Sequence, residues 1–177
     1  MYVIQADKSF ATVSLRMTTF HQGSGSSAFI EMLSYNKTPS KGHIVQGKLP
    51  KFTVPLDQFG LPLNTQKING PFFQLLFANV TPSSRVTVGQ PIKFSWNSSE
   101  KGVRATFEGQ VTAIDKGVNT FDAHWHIRFW FPESHGNSDS IDETTTYSLA
   151  TCNLVQSSVT WTEHEGPSFS YHIVKTK

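Results

Sequence analysis

Between residues 102 and 131 the chain reads GVRATFEGQVTAIDKGVNTFDAHWHIRFWF, with apolar and polar residues alternating on both sides of a short break. Successive side chains of a β-strand point to opposite faces, so a period of two predicts a strand with one buried face. In the first run Val103, Ala105, Phe107, Gly109, Val111 and Ala113 share the apolar face, and Arg104, Thr106, Glu108, Gln110 and Thr112 the polar one. In the second run Phe121, Ala123, Trp125, Ile127, Phe129 and Phe131 are apolar, against Asp122, His124, His126, Arg128 and Trp130. The break, Asp115-Lys116-Gly117-Val118-Asn119, carries the residues that turns need, and the whole predicts a β-hairpin. Like faces must meet across a hairpin, because a one-residue slip would send an apolar set into water. Two registers satisfy that rule. One sets Gly109 opposite Trp125 and Glu108 opposite His126; the other sets Glu108 opposite Arg128 and Gln110 opposite His126.

The same period recurs elsewhere. Residues 2–20 predict one long strand or a strand pair, with Ala11, Val13, Leu15 and Met17 on one face. A loop is expected at 21–27 (HQGSGSS); its glycines lack the Lys-Ser/Thr and helix start that a phosphate cradle needs. Residues 28–35 fit a strand better than a two-turn helix. Prolines 39, 50, 55 and 62, with Gly70, punctuate residues 36–70 and leave room for short strands at 43–48 and 51–56. The segment 71–80 (PFFQLLFANV) is apolar on both faces, as in a doubly covered strand. Another alternating strand spans 92–96. A polar loop is expected at 133–143 (ESHGNSDSIDE), then strands at 144–164, bent or broken near Ser157-Ser158, and at 168–175. The expected fold is a single all-β domain over 1–177, an antiparallel β-sandwich or β-barrel (jelly-roll-like or calycin-like) with little or no helix.

Composition narrows the functional classes. Only 16% of residues are charged and 12% are aromatic, a balance that suits strands rather than helices. A net charge of +2, with the 15 Lys and Arg scattered, gives no basic surface for nucleic acid. Cys152 is the only cysteine, which excludes an internal disulfide and a Cys-based metal site. The start MYVIQADKSFATV lacks the pattern of a signal peptide, and no apolar run has the length of a membrane span. A cytoplasmic protein is the default expectation, and leaderless secretion is compatible with the same features. Sequons occur at Asn36, Asn79 and Asn97.

Candidate chemistry gathers on the polar face of the hairpin. His124 and His126 lie two residues apart, a spacing at which both imidazoles could reach one metal ion. Arg128 on the same face opposes a nearby cation, and Glu133 stands beyond Pro132, too far along to complete the set; no metal and no cofactor is expected. Trp130 is a large aromatic among polar groups, the kind of side chain on which sugars stack. The expected function is therefore a non-catalytic module binding a small polar ligand, with carbohydrate the leading class. Gln110, Asp122, His124, His126, Arg128, Trp130 and His172 would contact the ligand. Thr160, Thr162, His164, Ser170 and His172 of the terminal runs would line a pocket with them if the sheet closes.

The alternative is a cofactor-free isomerase or cyclase working inside a barrel. There His126 would be the base, Glu108 would orient it and Arg128 would stabilise an oxyanion. If the face is instead plain wet sheet, Glu108 and Arg128 would form a cross-strand ion pair. A structural or viral assembly protein is a third expectation, although a basic arm for a genome is missing. Cys152 is expected as an inward, apolar strand position, and no serine has a G-x-S-x-G setting. Asp139, Asp142 and Glu143 fall in the expected polar loop without the order of a calcium-binding loop.

Overall fold

The computed structural model describes residues 1–6, 11–22, 25–37, 43–44, 51–57, 60–63, 87–89, 91–97, 102–131, 137–164 and 168–176, without a helix among them. Its strands are β1 (Tyr2–Ala6), β2 (Ala11–Gln22), β3 (Gly25–Lys37), β4 (His43–Ile44), β5 (Lys51–Leu56), β6 (Pro91–Asn97), β7 (Arg104–Asp115), β8 (Thr120–Trp130), β9 (Asp139–Ser148), β10 (Leu154–Thr162) and β11 (Ser168–Lys175). All belong to one antiparallel sheet of order β4-β3-β2-β1-β11-β10-β9-β8-β7-β6, with β5 pairing the same edge of β3 as β4. The all-β, helix-poor expectation therefore holds for these residues. The prolines fit their places: Pro55 stands in the short strand β5, away from the middle of the ladder order, and still accepts from the Leu63 amide at 2.9 Å, and Pro91 opens β6.

The sheet curls until its ends meet. From β5 to β6 there are nine steps along the hydrogen-bonded order, roughly 43 Å if the sheet were flat. Yet the buried indole Nε1 of Trp96 in β6 donates to the Pro62 carbonyl, just past β5, at 2.9 Å. Pro62 is itself bridged to Leu56 of β5. Bulges help the long strands bend: Leu33 in β3, Thr112 in β7 and Val155 in β10 are each an extra residue without a ladder partner. One core results, running from Val13, Leu15, Ile30 and Val54 through Ile4 and Ile173 to Phe107, Trp125 and Phe129. Aromatic rings supply much of it; Phe94 stacks on Phe107 with centroids 4.6 Å apart, and Phe129 on Trp161 at 5.7 Å.

Several local expectations are corrected. The 21–27 segment is mostly ladder rather than loop, with His21 opposite Ser26 and Gln22 opposite Gly25. The polar stretch 139–143 opens β9, because Ile141 and Glu143 face inward. The interruption expected at Ser157-Ser158 lies earlier, in the turn after Ser148, where the Cys152 amide donates to the Ser148 carbonyl at 2.8 Å. Cys152 is accordingly a half-buried turn residue with φ of 53°, not an inward strand residue. The Thr112 bulge moves Ala113 out of the apolar face and into solvent. The strand expected at 71–80, Asn79 and Glu133 lie outside the described residues.

Candidate functional site

The β7–β8 hairpin closes through Asp115, whose Oδ1 accepts from the amides of Gly117 at 2.8 Å and Val118 at 3.2 Å. Asn119 completes the turn at φ 58°, a left-handed conformation that asparagine tolerates. The register is the first of the two expected: Gly109 faces Trp125, Glu108 faces His126 and Gln110 faces His124. Phe107, Phe121, Ala123, Trp125, Ile127 and Phe129 are buried. Glu108, Gln110, His124 and Arg128 are exposed, and Asp122, His126 and Trp130 half-buried, on the opposite, outer face. A Glu108/His126/Arg128 centre inside a barrel is therefore corrected: the sheet curls toward its aromatic side, and this constellation looks outward.

Cross-strand neighbours extend that outer face. One row runs Lys93, Glu108, His126, Asp142, Thr160, Ser170; the next runs Pro91, Gln110, His124, Thr144, Ser158, His172. His126 Nδ1 meets Asp142 Oδ1 at 3.0 Å. Arg128 Nε points at His126 Nε2 from 3.5 Å. A guanidinium can only donate, so the Arg128 Nε–H is directed at the lone pair of His126 Nε2, while Nδ1 on the other side of the ring faces the Asp142 carboxylate. Asp142, not Glu108, thus orients His126. Glu108 instead pairs with Lys93, and that hydrogen bond and charge hold its carboxyl below the usual range. The Glu108–Arg128 ion pair does not form; Thr106 stands opposite Arg128.

Other expected site residues are tied locally. Asp122 accepts from Thr146 at 2.6 Å, and Gln110 donates to the Gly89 carbonyl at 3.0 Å. Trp130 sits beneath the Arg104 guanidinium, 5.0 Å from its centroid, a cation–π contact. His172 contacts Ser158 at 3.0 Å and stands three strands from His124, roughly 14 Å away. The arrangement therefore unites His124, His126 and Arg128 closely and leaves His172 at the far side of the same face. Thr160 and Thr162 share this outer face with Ser170; they line no interior. No three His, Cys, Asp or Glu side chains among the described residues gather as a metal site.

Sequence reasoning missed the most unusual group. Glu143 of β9 is 3% exposed and lies inside the sheet between Trp125 of β8 and Val159 of β10. Thr145 and Ser157, also buried, both donate to its Oε1 at 2.6 Å. Burial drives its pKa up to about 7 despite those two hydrogen bonds. Nearby, Trp125 Nε1 donates to the buried Tyr147 hydroxyl at 3.1 Å. Burial, reinforced by the Glu143 charge, pushes the phenols of Tyr147 and Tyr171 well up. The alternation Ile141, Glu143, Thr145, Tyr147 was the available signal, obscured because two of its four inward residues are polar.

No helix among the described residues is long and apolar enough to cross a membrane. No family model, curated protein or solved structure matches this chain.

Proposed function

We propose that the protein is a non-catalytic binding module for a small polar ligand of the carbohydrate class, seated on the outer face of β7–β10. The observation that carries this reading is the pair His124 and Arg128. Both are exposed, and among the described residues no acceptor engages His124 or the Arg128 Nη groups. They stand in a field of hydroxyls, Thr106, Thr144, Ser140 and Thr160, while Trp130 offers a ring at the margin. Hydroxyl-rich ligands need such a mixture of donors, acceptors and one apolar platform. A glycan array backed by calorimetric titration tests it. Arg128→Ala should weaken binding about tenfold or more, since a hydrogen bond to a charged group contributes about 1.5–3 kcal/mol. Trp130→Ala should weaken it as well. An array without hits, or binding untouched by both substitutions, overturns the reading.

A second reading has its own support. The Asp142–His126 contact holds the imidazole by Nδ1, and a substrate anion that drew the Arg128 guanidinium to itself would free Nε2 as an oriented base next to an anion stabiliser. In that case the protein is a cofactor-free acid–base catalyst, and Asp142 takes the orienting role expected of Glu108. Proton exchange at the carbon next to a carbonyl, monitored as deuterium incorporation into a panel of sugars, separates the two. Incorporation abolished by His126→Ala supports catalysis; binding without incorporation supports the module.

A further inference from the structure

A guanidinium carries its N–H donors in a planar fork that matches an oxyanion, so one held in place with its donors unspent is prepared for an anionic partner. Arg104 and Arg128 are two such groups at one end of the outer face. Arg104 stands directly opposite Trp130, and Arg128 precedes Trp130 by two residues on the same strand. The arginines are thus diagonal neighbours, with β-carbons roughly 7–8 Å apart. Both are exposed. Each is positioned by a contact that leaves its fork open. The Arg104 guanidinium lies over the Trp130 ring, 5.0 Å from the centroid, and hydrogen-bonds to none of the described residues. Arg128 uses only Nε, toward His126 Nε2 at 3.5 Å. The acids of this face are already engaged: Glu108 pairs with Lys93, Asp142 with His126, and Asp122 accepts from Thr146. Glu108 feels the Arg128 charge, yet its hydrogen bond goes to Lys93. Among the described residues neither arginine has a carboxylate within ion-pair distance.

We propose, resting on the carbohydrate reading of this face, that its ligand is an acidic sugar whose carboxylate or sulfate group is clasped by Arg104 and Arg128. A neutral sugar would leave both charges without a counter-ion, whereas an oxyanion accepts from the two forks in charge-assisted hydrogen bonds roughly twice as strong as neutral ones. Trp130 holds Arg104 in position through its ring. Next to the arginines the cross-strand row is one of hydroxyls, Ser95, Thr106, Ser140 and Thr162 around Arg128, which suits the uncharged remainder of the sugar. Glu108, Asp122 and Asp142 lie farther along the same face, so a ligand with anionic groups spread over a longer stretch, such as nucleic acid, meets repulsion beyond the arginines.

The test is calorimetric titration of the full chain with two matched pairs: tetragalacturonate against its methyl ester, and a keratan sulfate tetrasaccharide against its desulfated form. At least one acidic sugar should bind about tenfold or more tighter than its neutral counterpart. The pair that shows the difference tells carboxylate from sulfate. Raising NaCl to about 0.5 M should shrink that advantage, because exposed charges are screened. Arg104→Ala should remove most of it, and Arg104→Lys, which keeps the charge without the fork, should restore only part. Lys116→Ala, which removes an exposed cation in the turn at the other end of the hairpin, should change nothing. Neutral forms that bind as tightly as acidic ones overturn this inference and leave the carbohydrate reading standing, as does silence from all four sugars when neutral glycans bind on the array. Silence in both experiments overturns the two together. An equal loss in Lys116→Ala also overturns the inference, since net charge would then be the cause. So does acetate or inorganic sulfate binding as tightly as the sugars, which would leave the sugar no part.

Discussion

The indole of Trp125 lies across Gly109, its partner on the neighbouring strand, so closely that a β-carbon at Gly109 would collide with the six-membered ring. The glycine is thus a recess that lets the ring lie along the sheet, with its Nε1 reaching Tyr147. The recess also explains why a glycine stands amid an apolar strand face that elsewhere carries Ala, Phe and Val.

Gly109→Ala should therefore destabilise the protein by about 1–3 kcal/mol, the usual cost of forcing extra volume into a packed core. Combining it with Trp125→Leu should cost less than the sum of the two single changes. Urea denaturation of the four proteins of that cycle measures the coupling.

Glu143 should make the fold more stable in mild acid than above neutrality. Its folded pKa, about 7, lies above the usual 4.5, so between those values the native state holds a proton that the unfolded chain has released. That contribution is fully present below pH 4.5, declines between about 4.5 and 7, and is gone above. It amounts to on the order of 3 kcal/mol. Glu143→Gln should flatten this limb in chemical denaturation at stepped pH. An unchanged limb would assign the effect to other groups.

Trp96→Phe removes the N–H that joins β6 to the Pro62 carbonyl and leaves that buried acceptor unpaired. A loss of about 1–3 kcal/mol is expected. Amide exchange should accelerate at Leu63, which donates to the Pro55 carbonyl beside the same junction. Exchange unaltered there would mean that the sheet ends are held together by other contacts.

Asn119, at φ 58°, closes the turn between β7 and β8. Asn119→Ala should cost about 1 kcal/mol, because an alanine β-carbon crowds the backbone in the left-handed region. Asn119→Gly should be tolerated within about 1 kcal/mol. Thermal melts of both variants provide the check.

The candidate site was only partly legible in advance. Alternation along 103–111 and 121–130 located every inward aromatic of the hairpin, and turn chemistry at Asp115 and Asn119 located its end. The same rule failed past Thr112, since one bulged residue reverses the faces and exposes Ala113. It also concealed the partner of His126. Asp142 is separated from it by sixteen positions and meets it only because β9 pairs with β8 in a particular register.

The class of structure, and the division of the hairpin into an apolar and a polar face, were already written in the order of residues. Both come from local physics, the two-residue period of a strand and the cost of exposing apolar surface. Which face the curl encloses is a tertiary matter, because curvature depends on bulges and on contacts between distant strands such as Trp96 with Pro62. So is the sealing of Glu143, one acid among several in a polar stretch, between Trp125 and Val159. Burial is a property of what surrounds a side chain, and for Glu143 those surroundings come from β8, β10 and β11.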